Sequence, residues 1–550
     1  MAGREEGRIL ESPFPHVDVP DVSVTDFLDQ YSWFSQRPDA IALIGRWVGQ
    51  PHESNEWRLS YRELRETVRR VASGLARRGL RKGDVVLAHS SNCPEYLILV
   101  LAVYSLGAVM THGLPGCLTE EILYKLDIAK FCGTVKFYVV ASDLLTTAKE
   151  VLQSHGKNMI PILIGNAVDK DFIPFTDLLE DNGDSFPKDN RVESGDLAAV
   201  LYSSGTTGPP KGVPWTHKQL VAQMSVRSIN VREEDVFLLS VPLAHVGGTV
   251  LPLNGFSHGA AFLAIPYLST PEHYSKAVNK HKVTFLFCIP PMIVSLVKNR
   301  YDLPTLQRCD TGGSTCGPGF LKEAKITYPG VTINASIYGM TECGAIITAS
   351  QGFEAASNKR GCLIGNPVAN SQAKVVDSIT KELLPCGSAG ELCLRNPYIM
   401  RGYINNPEAT ARTIDSDGWL HTGDLAQYDD DGFIYIIDRL KDIIRIVHDK
   451  TITIQVSPSE VEDMLMRHPG VGDVAVAGIP DPDNEGYELI RAFVVRRTDE
   501  VSAGDLVDFV KEKTPRKNVT LTGGVRFIKN VPKNTVGKNM RSELQAQPFE

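Results

Sequence analysis

The chain has 550 residues, 43% hydrophobic and 22% charged, with a formal net charge of −8 at pH 7. That length exceeds one ordinary core and predicts roughly three to four domains or subdomains. A mild acidic excess without a basic block excludes nucleic acid as a partner, and the longest apolar stretches, such as 96–110, are too short to span a bilayer, so no transmembrane segment is expected.

The opening "MAGREEGRILESPF" carries acids and lacks the apolar core of a signal peptide, so export is not expected. "DVVLAHSSNCPEYLILVLAVYSLGAVMTHGLP" predicts a buried strand, a turn with a proline start signal, a helix over about 95–106 and an apolar strand near 108–111, which is a β-α-β unit. "FYVVAS", a helical stretch and "IPILIG" continue the pattern.

"YSSGTTGPPKG", 202–212, follows the apolar run 197–201. Hydroxyls, exposed backbone N–H groups and the Lys211 ammonium are the donors that would surround a polyphosphate. Pro210 before Lys211 and Gly212 after it break the G-x-x-x-x-G-K-[ST] pattern, so this is not a Walker A loop. The composition alone also suits a flexible strand-to-helix connection, against which its two prolines argue.

Farther on, "VFLLSVPL", "AAFLAIP" and "VTFLFCIPP" alternate with helical segments such as Pro271–His281, predicting parallel sheets covered by helices. The glycines of "TGGSTCG", 311–317, allow a flat ring to approach the backbone closely. "IYGMTECG", 337–344, presents the Tyr338 ring to a base and sets the Thr341 hydroxyl beside the Glu342 carboxylate. That pair suits Mg²⁺ and phosphate oxygen, and equally an ordinary polar turn. From about 361, short alternating strands suggest a small antiparallel or barrel-like section. "GWLHTGDLAQYDDDGFIYIIDRLKD" places Asp424 in a T-G-D turn, where a carboxylate accepts from two ribose hydroxyls, with Arg439 as a fixed donor nearby. Asp429 to Asp431 followed by Gly432 reads as a hairpin turn rather than a metal site. After 438 come a helix with a Ser-Pro start, two strands and a helix over Ala503–Lys513, which puts a domain boundary at 438–441. Ten cysteines without C-x-x-C pairs read as reduced thiols of a cytoplasmic protein rather than a zinc framework, and "QAQPFE" is no peroxisomal address.

From about residue 30 to 545 the chain resembles the acyl-adenylate-forming superfamily, which contains acyl-CoA and coumarate-CoA ligases, beetle luciferases and peptide-synthetase adenylation domains. "YSSGTTGPPKGV", "SVPLAHVGG", "YGMTECG", "GWLHTGDL", "DRLKDII" and "VPKNTVGK" carry the resemblance. It implies an α/β fold: a large N-terminal domain, 1–437, of two helix-covered α/β subdomains plus a small β-barrel, and a smaller, mobile α+β C-terminal domain, 438–550. Ser203, Ser204, Gly205, Thr206, Thr207, Gly208 and Lys211 would cradle the β and γ phosphates of ATP. Gly312, Gly313 and Tyr338 would border adenine, Thr341 would meet the α-phosphate, Glu342 would hold Mg²⁺, and Asp424 with Arg439 would hold the ribose. His245 would border the acyl pocket, and Lys538 would reach the substrate carboxylate and the α-phosphate. Taken without the motifs, Lys538 is a solvated surface lysine and His245 a satisfied core histidine.

The implied reaction joins a small carboxylic acid to AMP with release of pyrophosphate, then passes the acyl group to the thiol of coenzyme A after rotation about the hinge at Asp438 and Lys441. Two features depart from the family. "RIVHDKTITIQVSPSEVE" is several residues longer than usual, with Thr453 or a neighbour in place of a glycine that lines the thiol channel. Ile337 stands where many relatives that take long or flat aryl acids have glycine, and its bulk should fill part of the acyl tunnel. The first departure leaves open a transfer to a carrier protein on a separate chain, or to oxygen. A catalytically silent regulator is disfavoured, because Glu342, Asp424, Arg439 and Lys538 are all present.

Overall fold

The computed structural model of the protein describes residues 7–31, 33–46, 56–155, 158–187, 189, 191–203, 209–226, 229, 231–266, 269–314, 318–348, 361–448, 452–484, 486–498, 500–514, 519–533 and 539–546. Runs of consecutive apolar residues become parallel strands covered on both faces, where side-chain alternation would serve no purpose. All five residues of Val85–His89 and of Val109–Gly113 are buried. These two form the middle of a seven-stranded sheet, with Val135–Ala141, Ile160–Ile164 and Ile173–Pro174 to one side. Leu197–Ser203 and Lys211–Thr216 lie to the other, and only Lys211–Thr216 is antiparallel to its neighbour.

A second sheet has fourteen strands. Ile41–Arg46, Ala261–Ala264, Val236–Leu239, Phe285–Cys288, Arg308–Gly312 and Thr332–Met340 run parallel through its middle. At Thr332–Met340 the ladder turns antiparallel and continues through Gly344–Thr348, Cys362–Pro367, Ile434–Arg439, Leu420–Tyr428, Gly390–Arg395 and Gln372–Val376. This last section is the one whose short alternating strands suggest a barrel-like unit. Its hydrogen bonding is continuous with the parallel sheet.

The two sheets share one apolar cluster. Val86, Ala88 and Phe137 of the first meet Phe237, Leu239 and Phe262 of the second through the helix Pro94–Ser105, which is buried from Pro94 to Tyr104. A helix apolar on every side has to lie inside, and here it lies between layers. The pattern predicts it from 95, and proline occupies its first turn because the N–H it lacks has no helical acceptor there. Pro271–His281 has the predicted limits, with the Thr270 hydroxyl accepting from the His273 N–H.

Beyond Arg439 a further cluster joins Ile444, Val456, Val461, Leu465, Val474, Val494 and Leu506. It is built from the hairpin Ile444–His448/Ile452–Val456, the sheet Val471–Pro480, Glu488–Arg496 and Val525–Phe527, and the helices Pro458–Leu465 and Ala503–Lys513. Nine cysteines among the described residues are free thiols. Among the described residues no helix is long and apolar enough to cross a membrane.

Candidate functional site

Three of the expected site residues lie at or near the carboxyl ends of parallel strands, where open α/β sheets bind ligands. Ser203 ends Leu197–Ser203, Gly312 ends Arg308–Gly312, and Tyr338 lies near the end of Thr332–Met340. Ser204, Gly205, Thr206, Thr207 and Gly208 lie outside the described residues. The strands on either side of that loop pair antiparallel, with Lys211 opposite Ser203. The Ser203 Oγ is buried and has no hydrogen-bond partner among the described residues. A buried hydroxyl without a partner costs free energy, so this one is suited to an anionic oxygen arriving with a ligand.

Lys211 and Glu342 both touch a residue that carries no sequence signal of its own. The Lys211 Nζ sits 4.4 Å above the centre of the Tyr403 ring, and the Tyr403 hydroxyl donates to Glu342 Oε1 at 2.6 Å. Glu342 is only 5% exposed. The segment bearing Tyr403 is strapped down at both ends: the Met400 N–H donates to the Glu342 carbonyl and the Ile404 N–H to the Gly212 carbonyl, each at 2.9 Å. Buried Thr341 accepts at its carbonyl from the Trp215 indole N–H at 3.0 Å.

A second group forms around Asp424. The Tyr338 hydroxyl donates to its Oδ2 at 2.5 Å and the Arg439 Nε to its Oδ1 at 2.8 Å. Asp424 holds the Arg439 guanidinium above its ordinary pKa, while burial, reinforced by Asp424, pushes the Tyr338 phenol up. Tyr338 therefore stays a donor. The T-G-D segment, expected to be a turn, is instead inside the strand Leu420–Tyr428, and its glycine takes φ +70°. That conformation is strained for other residues, and it lets the strand bend so that the Asp424 N–H reaches the Thr422 Oγ1 at 3.1 Å. Asp429 to Gly432 form the expected hairpin turn between Leu420–Tyr428 and Ile434–Arg439.

Gly312 stands in register with Ile337, and a Cβ added to it would come within 2.7 Å of the Phe287 ring. Only glycine fits there. Gly313 follows with φ +84° and Ile337, half-buried, packs onto the main apolar cluster. His245 caps the helix Val246–Ser257, its Nδ1 accepting from the Gly247 N–H at 3.3 Å, which leaves the ring proton on Nε2.

Asp438, at the start of the expected hinge, is tied to the segment that opens the helix Pro458–Leu465. Its Oδ2 accepts from the Ser457 Oγ at 2.6 Å and from the Ser459 N–H at 2.9 Å, at the start of the helix Pro458–Leu465. A carboxylate there is favoured by the helix dipole. Lys441 lies in the short turn Leu440–Asp442, where partial burial lowers its pKa from the ordinary lysine value. Lys538 lies outside the described residues. The long segment 445–455 is a regular antiparallel pair at its base, from Ile444 opposite Val456 to His448 opposite Ile452.

Tyr403 is the residue that reading the sequence missed. "MRGYINNPEAT" offers a helix start at Asn406 and Pro407, and nothing in it places a tyrosine next to Glu342.

Comparison with known proteins gives a consistent picture. The family model described as AMP-binding enzyme matches residues 31–404, and that of the AMP-binding enzyme C-terminal domain matches 460–538. The chain is 33% identical to 4-coumarate–CoA ligase 4 of Arabidopsis thaliana, over 89% of this chain and 86% of that protein. It is 34% identical to the probable CoA ligase CCL5 of Humulus lupulus, over 88% of this chain and 87% of that one. In fold it is similar to the anthranilate CoA ligase AuaEII in complex with anthranoyl-AMP, with a TM-score of 0.82 at 22% identity, covering 97% of this chain and 98% of the other.

Proposed function

The chain belongs to the AMP-binding enzyme family and is an acid–thiol ligase of the adenylate-forming type, and from that premise we propose that it activates a small carboxylic acid with ATP and passes the acyl group to coenzyme A. The observation that carries this reading is a pair of charged groups, Lys211–Tyr403–Glu342 and Tyr338–Asp424–Arg439, whose Tyr338 and Glu342 stand four residues apart in one segment.

In this reading Ser203, Lys211 and the loop 204–208 bind the outer phosphates, and Thr341 meets the α-phosphate. Asp424 and Arg439 hold the ribose, while Gly312, Gly313 and Tyr338 border the base. The Ser203 hydroxyl, without a partner among the described residues, and the carboxylate of Glu342, one oxygen of which Tyr403 holds, fit a phosphate and its metal. Mg²⁺ bound there supplies positive charge against the phosphate oxygens. A carboxylate approaching the α-phosphorus brings anion against anion, and Lys211 with Lys538 offsets that repulsion and the charge of the transition state. His245 and Ile337 border the acyl group. Residues 1–437 and 438–550 act as two domains, and their closure keeps water from the acyl-adenylate. Rotation at Asp438 to Lys441 then withdraws Lys538 and admits the thiol.

Pyrophosphate release over a panel of carboxylic acids, with and without coenzyme A, tests the proposal. The expected result is acid-dependent pyrophosphate release and a coenzyme A thioester. No release with any acid would overturn it. The hairpin Ile444–Val456 supports a second reading, in which the acyl-adenylate forms but another acceptor takes the acyl group, because β-branched residues stand where a thiol channel would be expected to have glycine. Acid-dependent release without a thioester would select that reading.

Two variants probe the departures. Replacing 450–453 by a short glycine-containing turn should change the thiol step by on the order of tenfold and leave adenylation within about threefold. Equal loss of both steps would place the hairpin in the first reaction. Ile337→Gly should shift preference toward longer or flatter acids by about tenfold in relative kcat/KM, the worth of a few buried methylenes. An unchanged acid profile would remove Ile337 from the acyl site.

A further inference from the structure

Tyr403 touches both charges of the phosphate end of the site. Its hydroxyl donates to Glu342 Oε1 at 2.6 Å, and the Lys211 ammonium rests 4.4 Å above its ring centre. It is itself 7% exposed. Among the described residues no salt bridge joins Lys211 to Glu342 directly. The tyrosine stands in contact with each, so the cation and the anion are held in place without neutralising each other.

The hydroxyl is not what anchors this segment. Backbone bonds at Met400 and Ile404 fix it, and the Tyr403 N–H donates to Thr410 Oγ1 at 2.9 Å. Thr410 belongs to the helix Pro407–Thr413, which Asn406 caps through the Ala409 N–H. The ring is therefore aimed from a rigid base, and its polar end is committed to Glu342. The phenol hydroxyl is a hydrogen-bond donor, and the carboxylate oxygen it reaches at 2.6 Å is its natural acceptor. A hydrogen bond to one oxygen of a metal-binding carboxylate fixes the direction of the other, as partners of metal ligands commonly do.

We propose that Tyr403 is a positioning residue: its hydroxyl orients Glu342 so that Oε2 is presented to the divalent cation of the metal–nucleotide complex, and its ring holds Lys211 on the phosphate side until the nucleotide arrives. The proposal rests on the assignment of Glu342 to Mg²⁺ made above. It assigns a task to a residue in a segment outside the phosphate loop, and the ring and the hydroxyl have separable parts in it.

Mn²⁺, followed by its electron paramagnetic resonance signal, serves as the probe, titrated into the full-length protein with a non-hydrolysable ATP analogue. Tyr403→Phe keeps the ring and all backbone contacts. It should raise the Mn²⁺ dissociation constant about tenfold, the worth of one hydrogen bond to a charged group. In turnover, the KM for Mg²⁺ should rise by more than kcat falls. Glu342→Ala should weaken Mn²⁺ at least as much, and adding Tyr403→Phe to it should cost nothing further, because the hydroxyl acts only through Glu342. Unchanged Mn²⁺ affinity in Tyr403→Phe, with Glu342→Ala weakened, would overturn the role of Tyr403 and leave the metal assignment standing. Equal affinity in Glu342→Ala and the parent would remove Glu342 as the metal ligand and the proposal with it. An additive loss in the double variant would show that Tyr403 acts by another route, which also overturns it.

Discussion

Lys538→Ala is expected to lose adenylation by a factor on the order of 10² to 10³ while thioester formation from supplied acyl-AMP survives. In the proposed mechanism the two half-reactions share one pocket but differ in charge. In the first, a carboxylate meets a phosphate ester, and an ammonium between them offsets repulsion that grows toward the transition state. In the second, a thiol attacks a neutral acyl carbon and AMP departs. Rotation about Asp438 to Lys441 would already have carried Lys538 away, so its loss has little to remove from that step. In the resting arrangement the Asp438 carboxylate grips the start of the helix Pro458–Leu465 through Ser457 and Ser459. If the domain turns as proposed, those bonds would re-form or move with the helix. The measurement is paired: pyrophosphate release from ATP and acid, and thioester from purified acyl-AMP. Equal damage to both steps, in a protein with an unchanged circular dichroism spectrum, would assign Lys538 a static role and sink the two-state mechanism.

Asp424→Ala should cost about 10² to 10³ in kcat/KM for ATP and about 2–3 kcal/mol of stability, from two different causes. The first is loss of the carboxylate that would accept from two ribose hydroxyls. The second is local: Asp424 is 6% exposed and receives both the Tyr338 hydroxyl and the Arg439 Nε, so alanine leaves a phenol and a guanidinium without their acceptor. Asp424→Asn separates the causes, since it keeps an acceptor oxygen and the side-chain shape but loses the charge. It should recover most of the melting temperature and little of the ATP KM. If both variants melt lower yet bind ATP with the parent KM, Asp424 is a structural clasp for Tyr338 and Arg439 and the ribose lies elsewhere.

The local rules were legible residue by residue. Pro271–His281 begins at a threonine cap and a proline, both visible in the chain, and it has the expected limits. Ala503–Lys513 follows a serine whose side chain forms a capping box with Asp505, again a pattern of neighbours. Asp429 to Gly432 turn because aspartate and glycine favour that backbone. Each depends on interactions within one or two turns of chain, so the sequence carries the answer in one place. The donors and acceptors proposed for the site also stand in local motifs, a hydroxyl- and glycine-rich loop, a Thr-Glu pair and a T-G-D segment, each of which read alone fits an ordinary loop or turn as well.

What the sequence by itself determined, then, is the alternation of apolar strands and capped helices, the inventory of charged groups, and the family whose motifs they spell. The tertiary structure decided which of those groups touch. Glu342 meets a tyrosine 61 positions away and Asp424 one 86 positions away, and no periodicity or turn preference encodes either meeting. The T-G-D segment reads as a turn because of its glycine, yet lies within a strand: Asp424 pairs with Arg439, while Thr422 and Gly423 fall in the register shift opposite Glu391 and Cys393, where the positive φ of the glycine takes up the irregularity. The ladder from Thr332–Met340 through Gly344–Thr348 and Cys362–Pro367 to Ile434–Arg439 joins the antiparallel section to the parallel sheet, and in it Asp424 lies beside Tyr338. Local preferences are worth a few tenths to about 1 kcal/mol per residue, whereas a strand's ladder and its burial act over its whole length, so the larger sum sets the geometry of the site.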